Sequence, residues 1–103
     1  MSLTVTTQPG PYEFDGPHNS VDSLSDSSGV YVLTTISNGV HKVLDVGESA
    51  GVKSRVSNHD RSQYWQNHII DRLFVSAFYC DEPNRMLVEK QIRDFHNPPC
   101  GVR

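Results

Sequence analysis

The chain has 103 residues, of which 36% are hydrophobic and 20% charged, and its formal net charge is −3. This length suits one domain, and this composition is typical of a globular chain rather than a disordered one. The negative charge argues against tight, indiscriminate nucleic-acid binding, because phosphate neutralisation supplies most of that affinity; a local basic cleft remains compatible with it. Two cysteines are too few for a disulfide framework, and no leader or long apolar run is present. We therefore expect a cytoplasmic protein that does not contact a membrane.

The first 28 residues are predicted to form an irregular extension, and residues 29–103 the folded domain. Breakers at Pro9-Gly10-Pro11 and Gly16-Pro17 interrupt a segment rich in Ser, Thr and Asp. Tyr12 and Phe14 alternate in the way that lets a short segment lie on the core.

Two strands with a period of two follow, over residues 30–36 and 40–46, and they predict a hairpin. A two-residue loop at Asn38-Gly39 would mix apolar and polar side chains on both faces. A three-residue loop, Ser37-Asn38-Gly39, separates them better and gives the left-handed position to glycine. The sequence thus favours the three-residue loop, which would make Tyr31 and Asp45 direct cross-strand neighbours.

The rest of the chain predicts helices around one more strand. The apolar spacing indicates helices over 50–58 and 61–70, the second burying Tyr64 or Trp65, and a strand over 73–79. Asp81 is placed to cap a last helix that runs to about Phe95, with Pro83 in its first turn. The predicted fold is α+β, with a small central antiparallel sheet of about three strands flanked by helices.

Five residues with chemically active side chains occur in a defined order and spacing along the chain. Tyr31 ends Gly29-Val30-Tyr31, Asp45 opens Asp45-Val46-Gly47, and the three others follow on helices: Arg55, His59 and Glu89. This order and spacing resemble the GIY-YIG nuclease family, over roughly residues 28–101. The resemblance implies a GIY-YIG type of fold and a metal-dependent endonuclease that hydrolyses nucleic-acid phosphodiester bonds.

The resemblance also implies a role for each of these residues. Glu89 would hold a single Mg²⁺ or Mn²⁺, a hard ion that keeps several of its waters, and the ion would polarise the phosphoryl group. Arg55 would neutralise charge on the phosphate oxygens. Tyr31 and His59 would complete the catalytic set, and Asp45 would act as a base or as a second metal ligand.

Two departures from the family pattern support an alternative, a catalytically inactive GIY-YIG-like binding or interaction domain. Asp45 stands where the family has a tyrosine, and Gly101 stands where the family has an asparagine. Glu89 also lies four residues from both Arg85 and Arg93, which is the spacing of an ordinary salt-bridged helix face.

The expected partner is nucleic acid, DNA rather than RNA, together with a partner protein that supplies specificity. Because the chain is acidic overall, binding requires a local basic cleft, and the candidates for it are Lys53, Arg55, His59, Arg61 and one of Arg85 or Arg93. Structural zinc is disfavoured, since Cys80, His96 and Cys100 match no common zinc spacing.

Overall fold

In the computed structural model, which describes residues 2–59, 65–70 and 72–100, the chain forms an α+β fold. The described elements are β1 (Ser2–Val5), β2 (Tyr12–His18), a 3-10 turn (Val21–Ser23), β3 (Gly29–Ser37), β4 (Val40–Ser49), α1 (Val52–Ser57), β5 (Phe74–Tyr79) and α2 (Glu82–His96). The strands form one antiparallel sheet in the order β1-β2-β5-β3-β4. The α+β class is confirmed, but the sheet has five strands and not about three. No helix in the described ranges has the length and apolar character needed to cross a membrane.

The two additional strands come from the segment for which an irregular extension is predicted. β1 pairs with β2, and β2 adds to β5 with a register shift between Asp15 and His18. Gly16 lies in that shift with φ of 143°, and a Cβ there would come within 2.4 Å of Ser76 Oγ. Gly16-Pro17, which predicts a loop, therefore lies at an irregularity of β2, where the backbones of β2 and β5 come close together.

The hairpin of β3 and β4 does not have the predicted register. Ser37 pairs with Val40, so the loop is Asn38-Gly39, and both loop residues have positive φ (53° and 78°). This is the turn that matches the twist of a tight hairpin. The predicted three-residue loop is therefore wrong.

A bulge at Leu44 changes which residues of β4 share a face with β3. Thr34 pairs with Val43, whereas Leu33 pairs with Asp45, so Leu44 is the extra residue. Beyond the bulge Tyr31 pairs with Gly47, not with Asp45. Tyr31 and Asp45 nevertheless lie on the same face, as diagonal neighbours, because the bulge shifts the pairing by one residue.

Each face of the sheet has its own hydrophobic core. The α1-side core contains α1 and one face of β3 and β5: Leu24, Tyr31, Leu33, Val52, Val56, Trp65, Val75, Ala77 and Cys100. The α2-side core contains α2 and the other face: Val5, Phe14, Val30, Val32, Val43, Val46, Val88 and Ile92. Successive side chains of β3 alternate between these two cores, as the period of a strand requires.

The two helices are held at their ends by the local chemistry that the sequence contains. Asp81 accepts a hydrogen bond from Asn84 N (3.4 Å) and caps α2, Pro83 lies in its first turn, and Asn97 ends it in the left-handed region. The short α1 is anchored by Asp26, whose carboxylate accepts hydrogen bonds from Ser54 N (2.9 Å) and Ser54 Oγ (2.8 Å). These hydrogen bonds hold the pKa of Asp26 below its usual value.

The predicted positions of α1, β5 and α2 agree with the structure to within a few residues. Of the helix predicted over 61–70, residues 61–64 lie outside the described residues. Trp65, at the start of the described part, is buried, as predicted for one of its two aromatic candidates.

Candidate functional site

Tyr31 lies against a glycine that leaves room for its ring. On the paired strand, a Cβ at position 47 would fall 2.2 Å from Tyr31 Oη and 2.3 Å from Tyr31 Cζ. No residue other than glycine fits there unless the phenol moves. The close approach fixes Tyr31 in the α1-side core, where it is buried.

Three rings follow one another on this side of the sheet. The ring of Tyr31 meets that of His59 edge-to-face, with centroids 5.7 Å apart, and His59 contacts Trp65 at 4.9 Å. His59 comes two residues after the end of α1, so the helix positions it over the sheet. Aromatic groups at these separations attract one another through their ring edges and faces. The rings therefore form a packed row at the carboxyl end of α1.

Asp45 is fully buried, and both of its carboxylate oxygens accept hydrogen bonds. Trp65 Nε1 donates to Oδ2 (2.8 Å), and Val46 N donates to Oδ1 (2.9 Å). A carboxylate removed from water needs such donors, because burial without them is costly. The arrangement fits a residue that positions the indole of Trp65. It gives no direct access for a water to be activated, which the role of general base requires.

Lys53 and the exposed Arg55 both belong to α1, whose own sequence contains no acidic residue. The carboxylate of Asp26 binds Ser54 between them. The helix α2 contains three acidic residues and three lysine or arginine residues, and each of the latter is in an ion pair: Arg85 with Glu48 and Glu82, Lys90 with Asp94, and Arg93 with Glu89. Two candidates for the basic cleft, Arg85 and Arg93, are therefore neutralised by acidic partners. Arg61 lies outside the described residues.

Glu89 lies on the other side of the sheet from the aromatic row. It is on α2 between Val88 and Ile92, is 5% exposed, and accepts a hydrogen bond from Arg93 Nη1 at 2.7 Å. The structure thus brings Tyr31, Asp45 and His59 together and has Arg55 on the helix of the same side, whereas Glu89 is on the helix that packs on the opposite face. That all five residues line one cleft stays a prediction.

To hold a magnesium ion, Glu89 would have to exchange its ion pair with Arg93 for the metal. Mg²⁺ requires near-octahedral oxygen ligands and keeps several waters when one carboxylate holds it. Glu89 is nearly enclosed and already balanced by a guanidinium. Within residues 2–59, 65–70 and 72–100, no three His, Cys, Asp or Glu side chains are grouped so that they could hold a metal ion.

Sequence reasoning did not predict the contact between Trp65 and Asp45. The sequence predicts Asp45 as a base or a second metal ligand, and Trp65 as one of two aromatic candidates for burial. The signal that could have joined them is that a buried carboxylate and a buried indole N–H each need a partner.

Comparisons with known proteins give no relative of this chain. No protein-family model matches it, no curated protein does, and no solved structure does. The resemblance to the GIY-YIG family therefore depends only on the order and spacing of five residues: Tyr31, Asp45, Arg55, His59 and Glu89.

Proposed function

We propose that this protein is a nucleic-acid-binding domain with a GIY-YIG-like scaffold that does not cleave its ligand. The observation that carries the proposal is the buried carboxylate of Asp45, whose two oxygens are bound by Trp65 Nε1 and Val46 N. At the position where the family has a catalytic tyrosine, this chain has a group that supports an aromatic ring. The ion pair of the buried Glu89 with Arg93 supports the same proposal.

The binding surface in this proposal is the exposed side of α1. Lys53 and Arg55 lie two residues apart on α1, which contains no acidic residue. The carboxylate of Asp26 binds Ser54 between them and interacts with Lys53, so it offsets part of this positive charge. A local excess of positive charge attracts phosphates even when the whole chain is acidic, because the potential at close range depends on the nearest charges.

One observation favours a second candidate, the metal-dependent endonuclease. Tyr31 packs against Gly47 and His59, and Arg55 lies on the helix that leads to His59, so four of the residues implied by the resemblance, with Asp45, lie on one side of the sheet. In that candidate Glu89 would hold Mg²⁺ or Mn²⁺, and it would have to exchange its ion pair with Arg93 for the metal.

The binding proposal is tested by fluorescence anisotropy with labelled single- and double-stranded DNA and RNA at several salt concentrations. We expect Arg55→Ala to weaken binding and to reduce the slope of log affinity against log salt by about 0.9 for a duplex or about 0.7 for a single strand. Lys90→Ala is the matched control, since it removes one positive charge from an exposed position on α2. Equal losses for the two variants would show that only net charge matters and would contradict a site on α1.

Cleavage is tested separately with plasmid, single-stranded DNA and RNA in Mg²⁺ or Mn²⁺. The proposal expects no products from the wild-type protein. Products that disappear in a folded Glu89→Gln variant would overturn it in favour of the endonuclease.

A further inference from the structure

The two edge strands of the sheet line one groove. β1 and β4 stand at opposite ends of the strand order, yet residues of both border the same groove, whose volume is about 430 Å³. His96, at the end of α2, also lines it, and its Nε2 lies 2.8 Å from Thr6 O, directly after β1. The sheet therefore curls until its edges approach one another, but among the described residues no backbone hydrogen bond joins β1 to β4.

The β4 side of the groove presents backbone groups that pair with no strand in the described part of the chain. A two-residue hairpin loop is closed by a hydrogen-bonded pair, here Ser37 and Val40, and bonded and non-bonded pairs then alternate along the two strands. The N–H and C=O groups of His41 and Val43 therefore point away from β3, towards the free edge. Both residues line the groove. A free edge of this kind is a template for one more extended backbone.

The chain itself already uses the next position of this edge. Cys100 N donates a hydrogen bond to Leu44 O (2.9 Å), so the segment that follows α2 lies on the edge of β4 directly beyond Val43. Val40, at the other end of the groove, is 67% exposed although it is apolar. The part of the edge from Val40 to Val43 is thus accessible next to a position where an added backbone is already bound.

The side chains around this edge define what an added strand must carry. Leu3, Val5 and Val43 give the groove an apolar lining. Lys42, between the two edge residues, is exposed on the opposite face, and no acidic side chain of the described residues pairs with it. Since side chains of a strand alternate between faces, apolar residues fit opposite His41 and Val43, and an acidic residue fits opposite Lys42.

We propose that the free edge of β4 binds an extended segment of a partner protein in which one acidic residue stands between two apolar, β-branched residues. The peptide groups of His41 and Val43 supply the hydrogen bonds, and the groove and Lys42 supply the specificity, as in other cases of strand addition. A second copy of this chain fits less well. In the register that pairs His41 of one copy with Val43 of the other, the two Lys42 side chains stand directly opposite, and like charges there are destabilising.

The inference is tested by nuclear magnetic resonance with a ¹⁵N-labelled sample and a peptide with blocked ends, Thr-Thr-Val-Glu-Val-Thr-Thr. We expect the largest amide shifts at His41 and Val43, whose N–H groups gain an acceptor. A peptide with lysine in place of the glutamate should bind about three- to tenfold more weakly, because it sets two like charges opposite one another. A peptide with both valine nitrogens methylated should not bind, since it lacks the donors that face β4.

A charge reversal at the exposed Lys42 tests the pairing without a change to the core. We expect Lys42→Glu to reverse the preference, so that the lysine peptide binds about three- to tenfold more tightly than the glutamate peptide. Lys90→Glu, at an exposed lysine of α2, is the matched control and should keep the wild-type preference.

Three results would overturn the inference. They are an absence of shifts at His41 and Val43 at the highest soluble peptide concentration, a preference that Lys42→Glu leaves unchanged, and a dimer in sedimentation experiments that the peptide dissociates, which would assign the edge to a second copy. The proposed binding of nucleic acid on α1 is not affected by any of them, because the groove and α1 share no residue.

Discussion

The two sides of the sheet are built differently. The α2-side core contains mostly aliphatic and aromatic side chains, with one buried carboxylate, Glu89, on the helix of 15 residues that covers it with Val88 and Ile92. The α1-side core has a helix of six residues, and the buried carboxylate of Asp45 and the imidazole of His59 lie beside it. The two sides therefore have different roles. The α2 side supplies stability, whereas the α1 side uses the polar groups of Asp45 and His59 to position aromatic rings.

The largest effect is expected from a cavity made in the α2-side core. Ile92 is fully buried, so Ile92→Ala should lower the free energy of unfolding by about 2–5 kcal/mol. Leu87→Ala, on the same helix but 52% exposed, is the control and should cost far less. Urea denaturation measures both. Similar losses for the two variants would mean that the α2 side does not carry the stability assigned to it.

Removing the charge of Asp45 should affect both stability and the environment of Trp65. In Asp45→Asn the indole N–H loses a charged acceptor, and the amide N–H₂ replaces one of the two accepting oxygens, at a cost of about 1.5–3 kcal/mol. Urea denaturation and the emission spectrum of Trp65 check this prediction, with the exposed Asp15→Asn as control. Unchanged stability and emission would show that Asp45 does not position the indole.

A methyl group at position 47 should disturb the aromatic row, because it would displace the phenol of Tyr31. Gly47→Ala places Cβ about 2.2 Å from Tyr31 Oη, and we expect a loss of about 1–3 kcal/mol from overpacking. In a Tyr31→Leu background, which removes the phenol, the same substitution should cost less. If Gly47→Ala costs the same free energy of unfolding in both backgrounds of this double-mutant cycle, a clash with Tyr31 is not the cause of the loss.

The smallest effect concerns a histidine of the α2-side face. Burial lowers the pKa of His41, whose Nδ1 lies 2.8 Å from Thr34 Oγ1. The folded state then binds the proton less readily than the unfolded state, so this stabilising contribution is present above about pH 6.5 and is lost as the pH falls through the folded pKa. Unfolding measured near pH 7.5 and near pH 5.5 should show a smaller pH dependence in His41→Gln than in the wild type. Identical pH dependences would assign the effect to other histidines.

Local chemistry made part of this fold predictable. The cap at Asp81, the proline in the first turn of α2 and the alternation in β3, β4 and β5 each act within a few residues, and the sequence placed these elements well. β1 and β2 were not predicted, because β2 pairs with β5, which is distant in sequence, and because the glycines and prolines in and between the two strands resemble loop signals. The hairpin loop was wrong because the bulge at Leu44 compensates for a one-residue difference in register.

The arrangement of the site residues was predictable only where it depends on the alternation of side chains along neighbouring strands. That Tyr31 and Asp45 share a face follows from alternation along two neighbouring strands, and the prediction holds despite the wrong register. The position of Glu89 depends on which face of the sheet α2 covers, and no local pattern encodes that choice. The bond from Trp65 to Asp45 joins residues 20 positions apart and also lies beyond any periodicity argument.

The claim that the α1 side binds nucleic acid is tested most directly by nuclear magnetic resonance. A ¹⁵N-labelled sample is titrated with a short single-stranded oligonucleotide, and amide and indole N–H shifts are followed residue by residue. We expect the largest shifts on Lys53, Arg55 and the indole N–H of Trp65, while exposed residues of α2 such as Met86 and Phe95 stay unchanged. Shifts concentrated on α2, or none at all at saturating oligonucleotide, would contradict it.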